Sequence, residues 1–200
     1  VSTTLAIDEY LTALAEPERI SAVTEMSTDA GISNVAGKTD EIGTKIETVT
    51  AELVLSLKPD LVLIPSFVNP EVLEQLEAAG VTTNQLKDES SFDGILASVK
   101  EIGALIGEEE KAAKIITDVN ERIAALEEKA ASVKEKKRVL YWTQHNSSVT
   151  ENTTIGEMIT LAGGVNVITE AGITGDEYPE YPNLSKEKLV ELNPDVIVTS

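Results

Sequence analysis

The sequence predicts an α/β protein with parallel sheets, built as two similar lobes. Two stretches carry that prediction. Residues 50–86 read as helix, strand, loop, helix, strand. The opening of that unit then recurs near the end: VTAELVLSLKPDLVLIP (49–65) returns as LSKEKLVELNPDVIVTS (184–200), an offset of 135 residues. The offset pairs Thr50 with Ser185, Glu52 with Glu187, Leu57 with Leu192, Pro59 with Pro194 and Asp60 with Asp195. Each copy has a hydroxyl cap, a short helix, a proline stop and an apolar strand. Helix–Pro–Asp–strand is a common α/β connection, but agreement in register over so many positions points to duplication of a lobe. The period is far too long for a solenoid.

Within the first copy, Leu53, Val54 and Leu57 share a helix face, and Pro59 ends that helix. Leu61-Val62-Leu63-Ile64 is an unalternating apolar run between Pro59 and Pro65, as a parallel strand buried on both faces requires. Asn69 caps a second helix with Pro70 at its first position, Gly80 ends it, and Val81 to Leu86 is the next strand. Helices alternating with buried strands give a right-handed parallel sheet. Ligands of such sheets bind outside the carboxyl ends of the strands, which places Pro65-Ser66-Phe67 at the mouth of a site.

Taken in order, Val1 to Thr4 reads as the tail of a strand, with the abruptness of a processed or trimmed terminus. Ile7 to Leu14 is a helix, Glu16-Pro17-Glu18 a turn and Arg19 to Val23 the second strand. Thr24 to Lys45 is polar and carries Gly31, Gly37 and Gly43, so it reads as a long loop with a short strand at Val35. Long loops in compact domains are commonly functional. Asp88 to Ser91 is a linker in which Ser91 caps the helix that follows. Ile95, Val99, Ile102 and Ile106 then form a helical stripe up to Gly107, and Glu108-Glu109-Glu110 opens a further helix with the charge its dipole prefers. The stripe continues through Ile115, Ile116, Val119, Ile123, Leu126 and Val133. As one helix, 108–134 would run about 40 Å, enough to carry the chain between lobes. Arg138 to Thr143 is a strand, Gln144 to Thr154 a polar loop, Ile155 to Leu161 a helix ended by Gly163-Gly164, and Val165 to Ile168 a short strand. A loop rich in Gly, Pro, Tyr and acids (171–183) precedes the second copy. The predicted division is 1–91 for the first lobe, 92–137 for the connecting helices and 138–200 for the second lobe. A loop, a helix and a strand follow the first copy, and none follows the second. The expectation is therefore a second lobe incomplete in this chain, with the protein continuing past Ser200.

Composition narrows the partners. Of 200 residues, 35 are Asp or Glu and 16 Lys or Arg, a net charge of −19. Nucleic acids and anionic membrane surfaces need basic patches, so both are excluded as partners. Solubility accounts for the charge without further assumption. With no cysteine there is no disulfide, thiolate nucleophile or thiolate zinc site. No apolar run reaches transmembrane length, and no signal peptide is present.

T-x-E-x-x-x-x-L-K-P-D-L-V-L (50–63), L-A-G-G-V-N-V (161–167) and L-N-P-D-V-I-V (192–198) resemble the substrate-binding proteins of iron-siderophore, haem and cobalamin ABC importers. S-T-T-x-A-I-D-E-Y-L (2–11) and E-R-I-S-A-V-T-E (18–25) are similar to that family's opening segment. The motifs cover nearly the whole chain in the expected order. The resemblance implies two Rossmann-like lobes joined by a long α-helix, with a metal chelate held in an inter-lobe cleft. It implies an extracytoplasmic location, in a periplasm or lipid-anchored on the outer face of the cell membrane through a cysteine that would lie before Val1. It also implies delivery to an ABC permease by a monomer without intrinsic cofactor. The expected cargo is a ferric siderophore, with haem or cobalamin as alternatives. Family members dock on the permease through one acidic residue per lobe. The match here is Glu71, which is equally a helix-terminus carboxylate favoured by the dipole. Its counterpart would fall at 206, past the sequence.

The ligand-contact candidates are strand ends: Thr3, Thr4, Thr24, Glu25, Met26, Ser66 and Phe67 in the first lobe, and Trp142, Thr143, Gln144 and His145 in the second, joined by Tyr178 and Tyr181. Aromatics with a few polar groups suit a large planar or chelated ligand. Either Tyr141 or Trp142 alternates into the core, and Trp142 is the one assigned to the cleft. His145, the one histidine, and Met26 could serve as axial haem ligands by analogy, although a lone histidine in a polar loop is usually just solvated. A bare zinc or manganese site would need several converging ligands. Gly163-Gly164 is explained as a helix C-cap, and Asp176, Glu177 and Glu180 as a solvated loop. An enzyme on this scaffold, such as a chelatase or nitrogenase-like assembly, would need acid/base pairs or clustered ligands, which one histidine and no cysteine argue against. A sensor or adhesion domain is the remaining alternative.

Overall fold

The computed structural model describes residues 1–87 and 89–199. Asp88 of the expected linker and Ser200 of the second copy lie outside the described residues. The chain forms two compact units, Val1–Asp88 with Leu96–Lys114, and Glu89–Ile95 with Ile115–Ser200. The helices expected as connectors are therefore shared. One begins in the second unit and runs mainly in the first, and the other does the reverse.

The first unit opens with α1 (Leu5–Leu14), capped by Thr4, whose side chain accepts from the Ile7 amide. β1 is Ala22–Thr24, β2 Thr44–Ile46, α2 Ala51–Ser56, β3 Val62–Ile64, α3 Pro70–Ala78 and β4 Thr83–Gln85. β1 pairs with β2 and β3 with β4, both parallel. Val1 to Thr4, expected as a strand, is not one. It still bonds on both sides: the Ser2 amide donates to Ala22 O (3.1 Å) and the Leu63 amide to Val1 O (3.0 Å), so the segment bridges the two strand pairs. The caps expected at Thr50 and Asn69 are present, and Gly80 adopts a positive φ of 77° as the helix stop. Ile7, Leu14, Val54, Leu63, Ile64, Leu76 and Ile102 are fully buried.

Two further strand expectations in the first unit's loops move. The second strand is Ala22–Thr24, not Arg19–Val23, because Pro17–Arg19 makes a 3-10 turn. That turn points the Arg19 guanidinium at Glu108 Oε1 (2.6 Å) and Ile106 O (2.5 Å). Val35 is a buried turn residue and not a strand. The strand that the loop does contain is β2, three residues too mixed in character (Thr-Lys-Ile) to signal one.

α4 (Phe92–Ile106) and α5 (Glu109–Ala131) follow, separated by Gly107 at φ 72°. Ser91 Oγ accepts from the Gly94 amide (3.1 Å), as a cap should.

The second unit has β5 (Arg138–Tyr141), α6 (Thr154–Leu161), β6 (Val165–Asn166), α7 (Val167–Glu170), α8 (Lys186–Leu192) and β7 (Val196–Val198). The sheet order is β6-β5-β7, all parallel. β6 is shorter than expected because the Asn166 side chain accepts from the Ile168 amide (2.9 Å) and starts α7 there. β5 ends at Tyr141 because Thr143 Oγ1 accepts from the amides of His145 (3.3 Å) and Ser147 (3.2 Å) and turns the chain. Leu140, Val167, Ile168, Leu184 and Leu192 form the core. Among the described residues, no helix is long and apolar enough to cross a membrane.

Candidate functional site

In the first unit the loops after β1 and β3 form the carboxyl-end rim. Thr3 lies beneath it, with its hydroxyl donated to Leu63 O (2.8 Å), and Thr4 is committed to capping α1. Glu25 and Met26 project into solvent from a 3-10 turn, Glu25–Thr28. Ser66 and Phe67 are exposed, Phe67 at 80%. Their loop is held by Gln85, whose amide donates to Pro65 O (3.3 Å) and Ser66 O (3.2 Å). The aromatic ring is thus offered to solvent on a tethered loop. Ile32, also exposed and apolar in the long loop, escaped the sequence reading.

The long loop is ordered by buried polar groups. Asp8 is fully buried on α1, beside the apolar stripe of Ile7, Leu11 and Leu14. Its carboxylate accepts from the Thr24 amide (3.2 and 3.1 Å) and from Thr24 Oγ1 (2.5 Å). Burial raises its pKa, opposed by bonds from Ser2 and Thr24 and by the Lys45 charge. Ser27 Oγ donates to Thr24 O (2.7 Å) and Thr39 Oγ1 to Ser27 O (3.4 Å). The Lys45 ammonium donates to Thr39 O and Ile42 O. An acid on a buried helix face was the one sequence signal for this network.

In the second unit, Leu140 and Trp142 alternate with Val139 and Tyr141 along one strand direction. Trp142 is half-buried and packs on the core cluster, with its indole Nε1 unpartnered. Tyr141 lines the opposite face with Val139, Ile159, Val196 and Val198. Thr143 directs the turn, and Gln144 and His145 at its tip are exposed. The late loop is zipped onto 147–150: the Ser148 amide donates to Pro182 O (2.8 Å), the Thr150 amide to Glu180 O (2.9 Å), and Ser147 bridges Asn183. Tyr181 lies within this zipped segment and Tyr178 just before it, 46% and 63% exposed. Gly175 is required there, since a Cβ would meet Tyr178 O at 2.2 Å. Met26 belongs to the first unit and His145 to the second. Among the described residues, no group of three or more His, Asp or Glu side chains could hold a metal ion.

Glu71 sits exposed in the first turn of α3. Its amide donates to Asn69 Oδ1 (3.0 Å), and its carboxylate accepts from Gln75 (3.4 Å).

Comparison with known proteins identifies relatives of the chain as a whole. The family described as "Periplasmic binding protein" matches residues 1–200. A "Cobalamin-binding protein" of Halobacterium salinarum is 34% identical over 149 residues, which are 74% of this chain and 39% of that protein. An ABC transporter substrate-binding lipoprotein, YvrC, of Bacillus subtilis is 30% identical over 157 residues, 76% of this chain and 49% of that one. Among solved structures, the "Periplasmic heme-binding protein RhuT" of Roseiflexus sp. RS-1 in apo form superposes with a TM-score of 0.79 at 26% identity, over 99% of this chain and 74% of that one. The chain spans about half or less of the length of these two curated relatives.

Proposed function

We propose that this chain, which belongs to the periplasmic binding protein family, captures a metal-tetrapyrrole chelate, cobalamin or haem, for an ABC importer. The observation that carries the reading is the set of exposed apolar and aromatic side chains on loops: Phe67, Met26 and Ile32 in the loops after β3 and β1 of one unit, Tyr178 and Tyr181 in the loop before α8 of the other. Flat apolar surfaces with few polar groups suit the face of a macrocycle. The names of a cobalamin-binding relative and a haem-binding structure favour this class over the ferric siderophore expected from the sequence. The reading makes the protein a binder rather than an enzyme, extracytoplasmic, monomeric and docked on a permease through exposed Glu71. The YvrC name supports a lipid anchor as the means of retention.

Isothermal titration calorimetry of the full-length protein with cyanocobalamin, haemin, a ferric hydroxamate and a ferric catecholate tests the reading. Saturable 1:1 binding of one tetrapyrrole at micromolar or lower concentration is expected. Binding of a siderophore alone would replace the tetrapyrrole reading, and silence across the panel would end chelate delivery.

A further inference from the structure

Asp8 has no obvious place in a stable core. It occupies a buried helix face where an apolar side chain would pack with Ile7 and Leu11, and replacing buried ionic groups by apolar ones is commonly neutral or stabilising. Yet its carboxylate accepts from both the amide and the hydroxyl of Thr24, the residue that ends β1 and precedes the Glu25–Thr28 turn, with a further bond from Ser2. Thr24 O in turn accepts from buried Ser27 Oγ and Ser27 O from buried Thr39 Oγ1, so the carboxylate on α1 fixes the start of the turn that displays Glu25 and Met26, and these hydroxyls tie its far end to the loop. The next residue on α1 repeats the arrangement further along the loop: Glu9 Oε1 accepts from the amide and the side chain of Asn34, both at 3.1 Å.

We infer that Asp8 is a positioning residue for ligand capture, which holds the Glu25–Thr28 turn in its binding conformation before the ligand arrives. This rests on the proposal that the first unit's carboxyl-end rim contacts the cargo. Asp8 touches solvent nowhere and so cannot contact a ligand itself. It acts by removing freedom from the turn, and a loop ordered in advance loses less entropy on binding. A carboxylate suits the task because it accepts from an amide and a hydroxyl at once, and charge-assisted bonds are the stronger kind.

The test compares Asp8→Ala, Asp8→Asn and Thr24→Val in the full-length protein. The measurements are unfolding midpoint, affinity for cyanocobalamin and for haemin, and hydrogen exchange of the amides of residues 25–28. In variants that remain folded at the binding temperature, affinity is insensitive to global stability. We expect Asp8→Ala to weaken binding of the active probe about tenfold, the scale of a lost charge-assisted hydrogen bond, and to speed exchange at 25–28. Asp8→Asn, which keeps an acceptor for the Thr24 amide, should recover most of the affinity. If Asp8→Ala does not fold, Thr24→Val, which keeps the shape and removes one donor, should show a smaller loss in the same direction. Unchanged affinity and unchanged exchange in a folded variant would overturn the inference. If the wild-type protein binds neither probe, the functional reading falls. Exchange at 25–28 then still decides whether Asp8 orders the turn.

Discussion

The α2–β3 segment and the α8–β7 segment have the same local design and opposite burial. Both helices are capped by a hydroxyl, Thr50 accepting from the Leu53 amide (3.3 Å) and Ser185 from the Lys188 amide (3.1 Å). In both, the residue before the proline is left-handed: Lys58 at φ 49° and Asn193 at φ 42°, again separated by 135 positions. Both prolines lead into a three-residue parallel strand. Val62, Leu63 and Ile64 are no more than 1% exposed, whereas Val196, Ile197 and Val198 are 41–46% exposed. β3 has β4 on one side and the Val1–Thr3 segment on the other, while among the described residues β7 pairs with β5 alone. The duplicated sequence thus specifies the helix, the turn and the strand. The surroundings specify the burial.

The largest effect that separates the copies should come from truncating the strands. Leu63→Ala removes a fully buried side chain and should cost about 2–5 kcal/mol, as core leucines do. Ile197→Ala at a half-exposed site should cost about 1 kcal/mol or less. Denaturant unfolding reads both, and equal costs would dissolve the contrast. The caps should behave alike: Thr50→Ala and Ser185→Ala should each cost about 1 kcal/mol, and a large inequality would show that the repeat is only superficial. The left-handed turns should differ in sign. Lys58→Asn places a residue that tolerates φ > 0 where lysine does not and should stabilise by a few tenths of a kcal/mol, roughly. Asn193→Lys should destabilise by about the same amount.

The last prediction concerns a device on the first unit's rim, the Asp8 network. Its raised pKa means that its contribution to stability is fully present below the unfolded value of 3.8 and is lost as pH rises through the folded value. Burial raises the pKa, and Ser2, Thr24 and Lys45 oppose it. The wild-type protein should therefore gain stability relative to Asp8→Asn as pH falls from neutrality toward 3.8. A pH-independent difference in unfolding free energy would refute that assignment.

These contrasts explain which features were legible. Caps, proline stops and apolar runs act over a few residues, so Thr50, Asn69, Gly80, Ser185 and the β3 run could be read directly. β2 could not, because its identity comes from pairing with β1 across the long loop rather than from Thr-Lys-Ile itself. The premature end of β6 turned on one side-chain bond from Asn166, which competes locally with strand extension. The exposed position of Phe67 followed from the rule that ligands meet strand carboxyl ends, whereas the tyrosines were read from the composition of their loop. The inward commitment of Thr3 and the packing of Trp142 on its core depend on neighbours distant in sequence.

The most direct test of the account is hydrogen exchange of the full-length protein with and without a saturating tetrapyrrole, the one that calorimetry selects. Protection concentrated at 24–28, 65–68, 142–147 and 175–182 is the predicted result, because those segments carry the proposed contact residues. Protection confined to the opposite strand ends, or spread evenly over the chain, would contradict capture at the carboxyl-end rims.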